Sequence, residues 1–130
     1  MIALVDTVAG SFAVDLDDEE LEPWDGTVEA PPPPVLNLPR LVAAAAAGST
    51  VVAVVDTKPP LVVSHDSGTT WRESGRGLPA GVAVAIGDDP DVLLFAARNR
   101  LYLSRDGGVF WTAIAIELPE ILAVSLRPEQ

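Results

Sequence analysis

The chain has 130 residues, 48% of them apolar, and its 19 acidic and 8 basic side chains give a net charge of −11. This length provides one hydrophobic core, and no run approaches the roughly 18 apolar residues of a membrane span. The negative charge disfavours nucleic acids and anionic membranes as partners and favours basic proteins. Because cysteine is absent and no signal-like segment opens the chain, we expect a cytoplasmic protein without disulfides.

The N-terminal third predicts two strands, over residues 1–7 and 11–16. Residues 1–7 match residues 51–57 at an offset of fifty, which makes them the second strand of a sheet. Residues 121–127 would then supply its first strand from the other end of the chain. An offset of forty, which places residues 1–7 opposite 41–47, also fits the sequence, but we prefer fifty because residues 121–127 then complete the first sheet.

An acidic segment and a proline run follow these strands. Residues 1–39 hold nine carboxylates and no lysine or arginine. The acidic residues lack the glycine-bearing spacing of a calcium loop, so we expect a solvated loop, with no metal and no cofactor. Pro31–Pro34 predict a stiff connector over residues 31–40. Because these segments depart from the repeat described next, they are the candidate partner surface, namely Asp17, Asp18, Glu19, Glu20 and Trp24.

The remainder of the chain repeats with a period of forty residues. The pair Leu-Pro recurs at positions 38, 78 and 118, and a short apolar segment follows each pair. Turn-forming residues divide each unit into four short strands. In the clearest unit these strands are predicted over residues 41–46, 51–56, 60–64 and 70–74. The run Val51–Val55 is apolar on both faces, as in a strand packed between two layers.

A turn motif of the form Ser-x-Asp-x-Gly closes the third strand of two units. It occurs over residues 64–71 and again over 104–111, each time ending in tryptophan. The aspartate can accept hydrogen bonds from its own turn, and the glycine permits positive φ. The tryptophan is large enough to fill the gap between two sheets. These roles are structural, and they belong to Ser64, Asp66, Gly68, Trp71, Ser104, Asp106, Gly108 and Trp111.

This motif resembles the Asp box of sialidase-like β-propellers, which is also found in sortilin-type receptors and in photosystem assembly factors. The second copy has Phe110 where threonine is usual, and Trp24 ends a degenerate third copy. The resemblance implies an all-β propeller whose boxes lie on outer turns, away from the ligand-binding face.

We therefore predict one propeller unit of three blades, each with four antiparallel strands. The first blade combines residues 1–30 with 120–127, the second covers 41–75 and the third covers 81–117. Propellers generally have four to eight blades, so three leave the ring incomplete. A homodimer that forms one six-bladed ring is the expected remedy. Completion by another propeller protein is the alternative.

The residues argue against catalysis. Tyr102, the only tyrosine, lies in an apolar strand, and His65, the only histidine, lies in a box turn, so neither a sialidase site nor a Ser/His/Asp triad is evident. We predict no catalytic residue and a binding or scaffold module that mediates protein assembly. The alternative is a glycan-directed protein, either a lectin or a degenerate glycosidase, in which Trp24 would contact the sugar.

Overall fold

The fold is all-β, and the described residues form twelve strands arranged in three four-stranded antiparallel sheets. The computed structural model describes residues 1–26, 28 and 31–127. The strands are β1 (Ile2–Thr7), β2 (Gly10–Asp15), β3 (Glu20–Pro23), β4 (Leu41–Ala47), β5 (Thr50–Val55), β6 (Leu61–Ser64), β7 (Arg72–Ser74), β8 (Gly81–Ile86), β9 (Leu93–Ala97), β10 (Leu101–Ser104), β11 (Thr112–Ala113) and β12 (Ile121–Arg127). Among the described residues, no helix has the length and hydrophobicity to cross a membrane.

The first sheet joins the two ends of the described chain. Its order is β12-β1-β2-β3, and the antiparallel pair β1–β12 sets Ile2 opposite Arg127 and Val5 opposite Val124. Strand β1 is therefore the second strand of its sheet, which is the position that an offset of fifty assigns to it. The first-strand position, which the offset of forty would have given to residues 1–7, is held by β12.

The second and third sheets repeat one topology. Their orders are β4-β5-β6-β7 and β8-β9-β10-β11, with every strand next to its sequence neighbour. The outermost strands are shorter than the sequence predicted: β7 has three residues and β11 has two, since each box turn continues up to its tryptophan. Residues 75–80 and 114–120 connect consecutive sheets, whereas the longer stretch 24–40 connects β3 with β4.

The third sheet lies between the other two and packs against both. Strand β9 is buried on both faces: Leu93, Phe95 and Ala97 pack toward the second sheet, and Leu94 and Ala96 toward the first. Phe12 packs against the buried aliphatic side chains on the side of the first sheet, whereas Tyr102 and Trp111 contact Phe95 on the side of the second. The order of the sheets in space is therefore second, third, first.

Strand β5 is also buried on both faces, as its unbroken apolar sequence predicted. Val52 and Val54 belong to the core shared with the third sheet. Val51, Ala53 and Val55 point to the opposite face, yet they too are buried. The face of the second sheet that points away from the third is thus already shielded at its centre.

Each sheet has a β-bulge at the same point of its first strand, β12, β4 or β8, which we call the innermost strand. The pairing of β4 with β5 passes from Leu41 directly to Ala43, which leaves Val42 without a residue opposite. The same irregularity isolates Val82 in β8 and Leu122 in β12. A bulge re-aims the side chain of its extra residue. All three bulged side chains are exposed, at 48%, 38% and 54% respectively.

Candidate functional site

The innermost strands of the three sheets line one cavity of about 720 Å³. Residues 42–46 of β4, 82–86 of β8 and 122–127 of β12 form its wall, together with Leu4 and Pro31–Pro33. The three bulged residues lie in this lining. A volume of this size is within the usual range for ligand pockets.

The chemistry of the cavity is mostly that of small apolar side chains. Alanine and valine dominate the strands, and among the described lining residues Asp88 is the only carboxylate and Arg127 the only cation. No aromatic side chain is found among the described residues of this lining. A glycosidase that acts with two carboxylates would need a second acid across the cavity. The arrangement is therefore suited to binding an apolar group.

Sequence reasoning missed the three bulged residues. Their signal was available, because an apolar residue stands four positions after the leucine of each Leu-Pro pair. A bulge, however, depends on how two strands register with each other, and the strand pattern alone does not encode that register. The alternation of side chains between the two faces of a strand does not by itself distinguish Val42, Val82 and Leu122 from their neighbours.

The first box (residues 64–71) forms a self-contained turn. The Asp66 carboxylate accepts hydrogen bonds from the hydroxyls of Ser64 and Thr70, at 2.7 and 2.6 Å, and from the Thr70 backbone N–H at 2.8 Å. These bonds lower the pKa of Asp66 to about 2, with the Thr70 hydroxyl as the largest cause. The oxygens of Asp66 are thus committed to its own turn, which is a structural role.

The second box (residues 104–111) repeats this chemistry without the threonine. Asp106 accepts from the Ser104 hydroxyl at 2.8 Å and from the backbone N–H groups of Val109 and Phe110, at 3.1 and 3.0 Å. These bonds lower the pKa of Asp106, the one from the Phe110 N–H most of all. Relative to threonine, Phe110 lacks the hydroxyl donor but keeps the backbone N–H bond to Asp106. The residue is 76% exposed.

The two box tryptophans differ in what they contact. Trp111 donates from its indole Nε1 to the Ser74 hydroxyl of the second sheet at 3.0 Å, and its ring packs edge-on against Phe95. It fills the gap between two sheets in the manner expected. Trp71 makes no such bond in the described structure, since no described sheet packs on the face of the second sheet that points away from the third.

The acidic candidate surface is partly used inside the chain. Asp17 accepts from the Arg105 guanidinium at 2.7 Å and from the N-terminal ammonium at 3.0 Å. These contacts, above all the hydrogen bond and charge of the N-terminus, lower the pKa of Asp17. Glu19 accepts from the Ala115 backbone N–H at 2.9 Å. Asp18 and Glu20 are exposed and make no side-chain bond within the described structure.

The remaining candidates are not among the described residues of the cavity lining, although Trp24 contacts one of them. Trp24 packs under the Arg127 guanidinium, 5.6 Å from the ring centroid, and its buried Nε1 has no hydrogen-bond partner among the described residues. Tyr102 packs against Phe95, and His65 is exposed on the first box with its Nδ1 3.4 Å from the Thr50 hydroxyl. In the described part of the chain, no three acidic or histidine side chains converge as a metal site would require.

Comparisons with known proteins support the fold. A GH74 enzyme from Niastella koreensis superposes on 94% of this chain with a TM-score of 0.55 at 20% identity. YCF48, in a structure with a bound D1 peptide, superposes on 85% with a TM-score of 0.51 at 17% identity. The chain spans only 19% and 38% of these proteins' lengths. No protein-family model and no curated protein sequence matches it.

Proposed function

We propose that this chain is a non-enzymatic binding module that holds an apolar peptide segment of a partner protein in the cavity between its innermost strands. The observation that carries the proposal is the threefold recurrence of a bulged, exposed apolar side chain on the cavity wall, at Val42, Val82 and Leu122. Exposed apolar side chains that converge on a concavity are typical of interaction sites.

The chemistry of the site favours binding over catalysis. General acid catalysis requires a carboxyl group whose pKa is raised toward the working pH. The pKa values of Asp17, Asp66 and Asp106 are instead lowered, and all three lie outside the cavity. Asp88, the carboxylate in the described lining, has no second acid beside it there.

The choice of a peptide rather than a sugar also rests on the lining. Protein sites that hold sugar rings commonly use aromatic platforms, and the described cavity wall is aliphatic. The Trp24 ring, which would be the sugar contact of the glycan alternative, is stacked against Arg127. A protein of similar fold is known with a bound peptide, which supports the same class of ligand here.

The test is selection of short peptides from a displayed random library, followed by measurement of their affinity by fluorescence polarisation. A carboxylate placed at Val82 would stand in the cavity wall, so Val82→Asp should weaken binding at least about tenfold, equal to about 1.4 kcal/mol. Val109→Asp is the matched control, because Val109 is exposed on the second box outside the cavity lining. Selected peptides that bind both variants equally would contradict the proposal, as would failure to select any.

A further inference from the structure

The second and third sheets are joined by hydrogen bonds between an outer strand and a turn. The box turn of the third sheet docks on β7, the outer strand of the second. The Arg72 guanidinium donates to the Gly107 carbonyl at 3.1 Å, and the Ser74 hydroxyl donates to the Gly108 carbonyl. Trp111 completes the contact by donating to Ser74. Both turn glycines are buried as a result.

The third and first sheets are also joined through a turn. The turn after β2 of the first sheet docks on the third sheet, where Arg105 binds Asp17 and the Ala115 N–H binds Glu19. In both junctions, therefore, a turn of the following sheet contacts the preceding sheet. It meets β7 itself in the first junction, and in the second it meets the box turn and the residue two positions beyond β11.

One turn is left without a preceding sheet, namely that of the first box. Ser67 is exposed and Gly68 half-buried, whereas their equivalents Gly107 and Gly108 are buried. Within the described structure, the carbonyls of Ser67 and Gly68 and the Nε1 of Trp71 have no hydrogen-bond partner. They are equivalent to the carbonyls of Gly107 and Gly108 and the Nε1 of Trp111, through which the third sheet binds the second.

One outer strand is left without a following sheet, namely β3. All four of its residues, Glu20–Pro23, are exposed. Contrary to the prediction from the sequence, Trp24 does not end a third box but is equivalent to Ile114, because the Trp24 N–H bonds to the Ser11 carbonyl as the Ile114 N–H bonds to that of Leu101, each at 2.9 Å. By the repeat of forty, Ile114 is in turn equivalent to Ser74. Glu22 and Trp24 therefore occupy the positions that Arg72 and Ser74 occupy in the second sheet.

The two unused surfaces are complementary in hydrogen bonding. Ser67 brings a hydroxyl donor where the third sheet has glycine, and Glu22 brings an acceptor where the second sheet has arginine. Trp24 stands at the position from which Ser74 donates to Gly108, but its Nε1 is buried within its own chain and is not available to a second copy. Donor and acceptor are therefore exchanged between Ser67 and Glu22, and the unpaired Gly68 carbonyl would lie against the Trp24 position without a hydrogen bond to the indole.

The two sheets also differ in charge. Residues 1–26, which hold β1–β3, carry eight carboxylates and no lysine or arginine. Residues 40–77, which hold the second sheet, are close to neutral, with four cations and three carboxylates, and one of the cations, Arg72, already donates to Gly107. A near-neutral surface repels the acidic first sheet less than a second acidic surface would.

We infer that the first-box turn of one copy of this chain docks on β3 of a second copy, with Ser67 against Glu22 and Gly68 against Trp24. A two-fold axis makes the contact twice and gives a ring of six sheets. Because Val51, Ala53 and Val55 are already shielded, the new contact is confined to the outer turn and strand. We expect a contact of this limited extent to belong to the class of weak, reversible complexes, which bury less than about 1,200 Å². The inference is independent of the ligand proposed for the cavity.

The first test is the native mass across a concentration series, by light scattering after size exclusion. We expect 13.6 kDa at low concentration and twice that mass at high concentration, as a weak, reversible complex requires. Trp71→Ala should shift the midpoint at least tenfold upward while the circular dichroism spectrum is unchanged. Phe110→Ala is the matched control, since it removes an exposed aromatic ring from the other box, and it should leave the midpoint in place.

The second test uses the absence of native cysteine. Ser67→Cys on one copy and Glu22→Cys on another should form an intermolecular disulfide when the two single variants are mixed under mild oxidation. A mixture of Ser67→Cys with Val8→Cys, an exposed turn position away from the junction, measures random collision. A mass of 13.6 kDa at every concentration would overturn the inference. Cross-linking of the Ser67→Cys and Glu22→Cys mixture no faster than in the control would overturn it as well.

Discussion

The indole N–H of Trp111 and the hydroxyl of Ser74, 3.0 Å apart, join the third sheet to the second. The Ser74 hydroxyl also donates a hydrogen bond, to the Gly108 carbonyl in the same turn as Trp111. A single buried serine thus acts as acceptor and donor for one turn. Trp71, forty residues earlier, has the same sequence context without such a partner in the described structure.

We therefore expect Trp111→Phe to be more damaging than Trp71→Phe. The Trp111 variant loses a hydrogen bond and part of an aromatic contact, which should lower the free energy of unfolding by about 1–2 kcal/mol. The Trp71 variant should stay within about 0.5 kcal/mol of the parent. Urea unfolding at a concentration where the chain is monomeric measures both, and equal losses would contradict the difference in role.

The pH dependence of stability should depend on Asp66. Its pKa is about 2 in the folded chain against 3.8 for the ordinary group, so its charged form stabilises the fold above pH 3.8. This stabilisation is lost as the pH falls from 3.8 through about 2. In Asp66→Asn the melting temperature should consequently fall less over that window than in the parent. Asp18→Asn, at an exposed carboxylate without a described side-chain bond, is the control, and a parallel fall in all three proteins would contradict the assignment.

Gly81 should not tolerate a methyl group. A Cβ built at this position meets the Phe95 ring and lies 2.9 Å from Val54 Cγ1, both in the core between the second and third sheets. Overpacking of this kind costs about 1–3 kcal/mol, so Gly81→Ala should lower the denaturation midpoint clearly. Val82→Ala, one residue away and on the cavity surface, should change the unfolding free energy by no more than about 0.5 kcal/mol. A Gly81→Ala protein as stable as the parent would show that this core can relax.

The pairing of β12 with β1 should be essential to the first sheet. Val124 is 2% exposed and packs in the core between the first and third sheets. Val124→Ala removes two buried carbons and leaves a cavity, which should cost about 2–3 kcal/mol. Leu122→Ala, on the same strand but half exposed, should cost less than about 1 kcal/mol. Both values come from urea titrations, and a reversed order would place the structural role of β12 elsewhere.

Much of the architecture was predictable because the repeat carries it. The forty-residue period located the second and third sheets, and Val51–Val55 could be assigned as a doubly buried strand from its composition. The register of residues 1–7 could not be fixed in the same way. Offsets of forty and fifty place equally apolar segments opposite each other, and only the partner strand β12 distinguishes them.

The cavity was less accessible to sequence reasoning than the sheets. Its wall consists of alanine and valine, which any buried strand contains, and its distinguishing side chains protrude because of bulges. The roles of Asp17 and Glu19 were obscured for a different reason. A run of carboxylates has the composition of a solvated loop, and the groups that bind them, Arg105 and the Ala115 N–H, lie about ninety residues away in the chain.

The pairing of the first strand with the last has a consequence for synthesis on the ribosome. Strands β1–β3 emerge first, but their sheet lacks its innermost strand until residues 121–127 have been translated. The second and third sheets pair only sequence neighbours, so they can form earlier. During that interval the exposed edge strand β3, with Glu20, Glu22 and Pro23, presents charge and a missing N–H to other nascent chains. These features discourage aberrant strand addition until the sheet is complete.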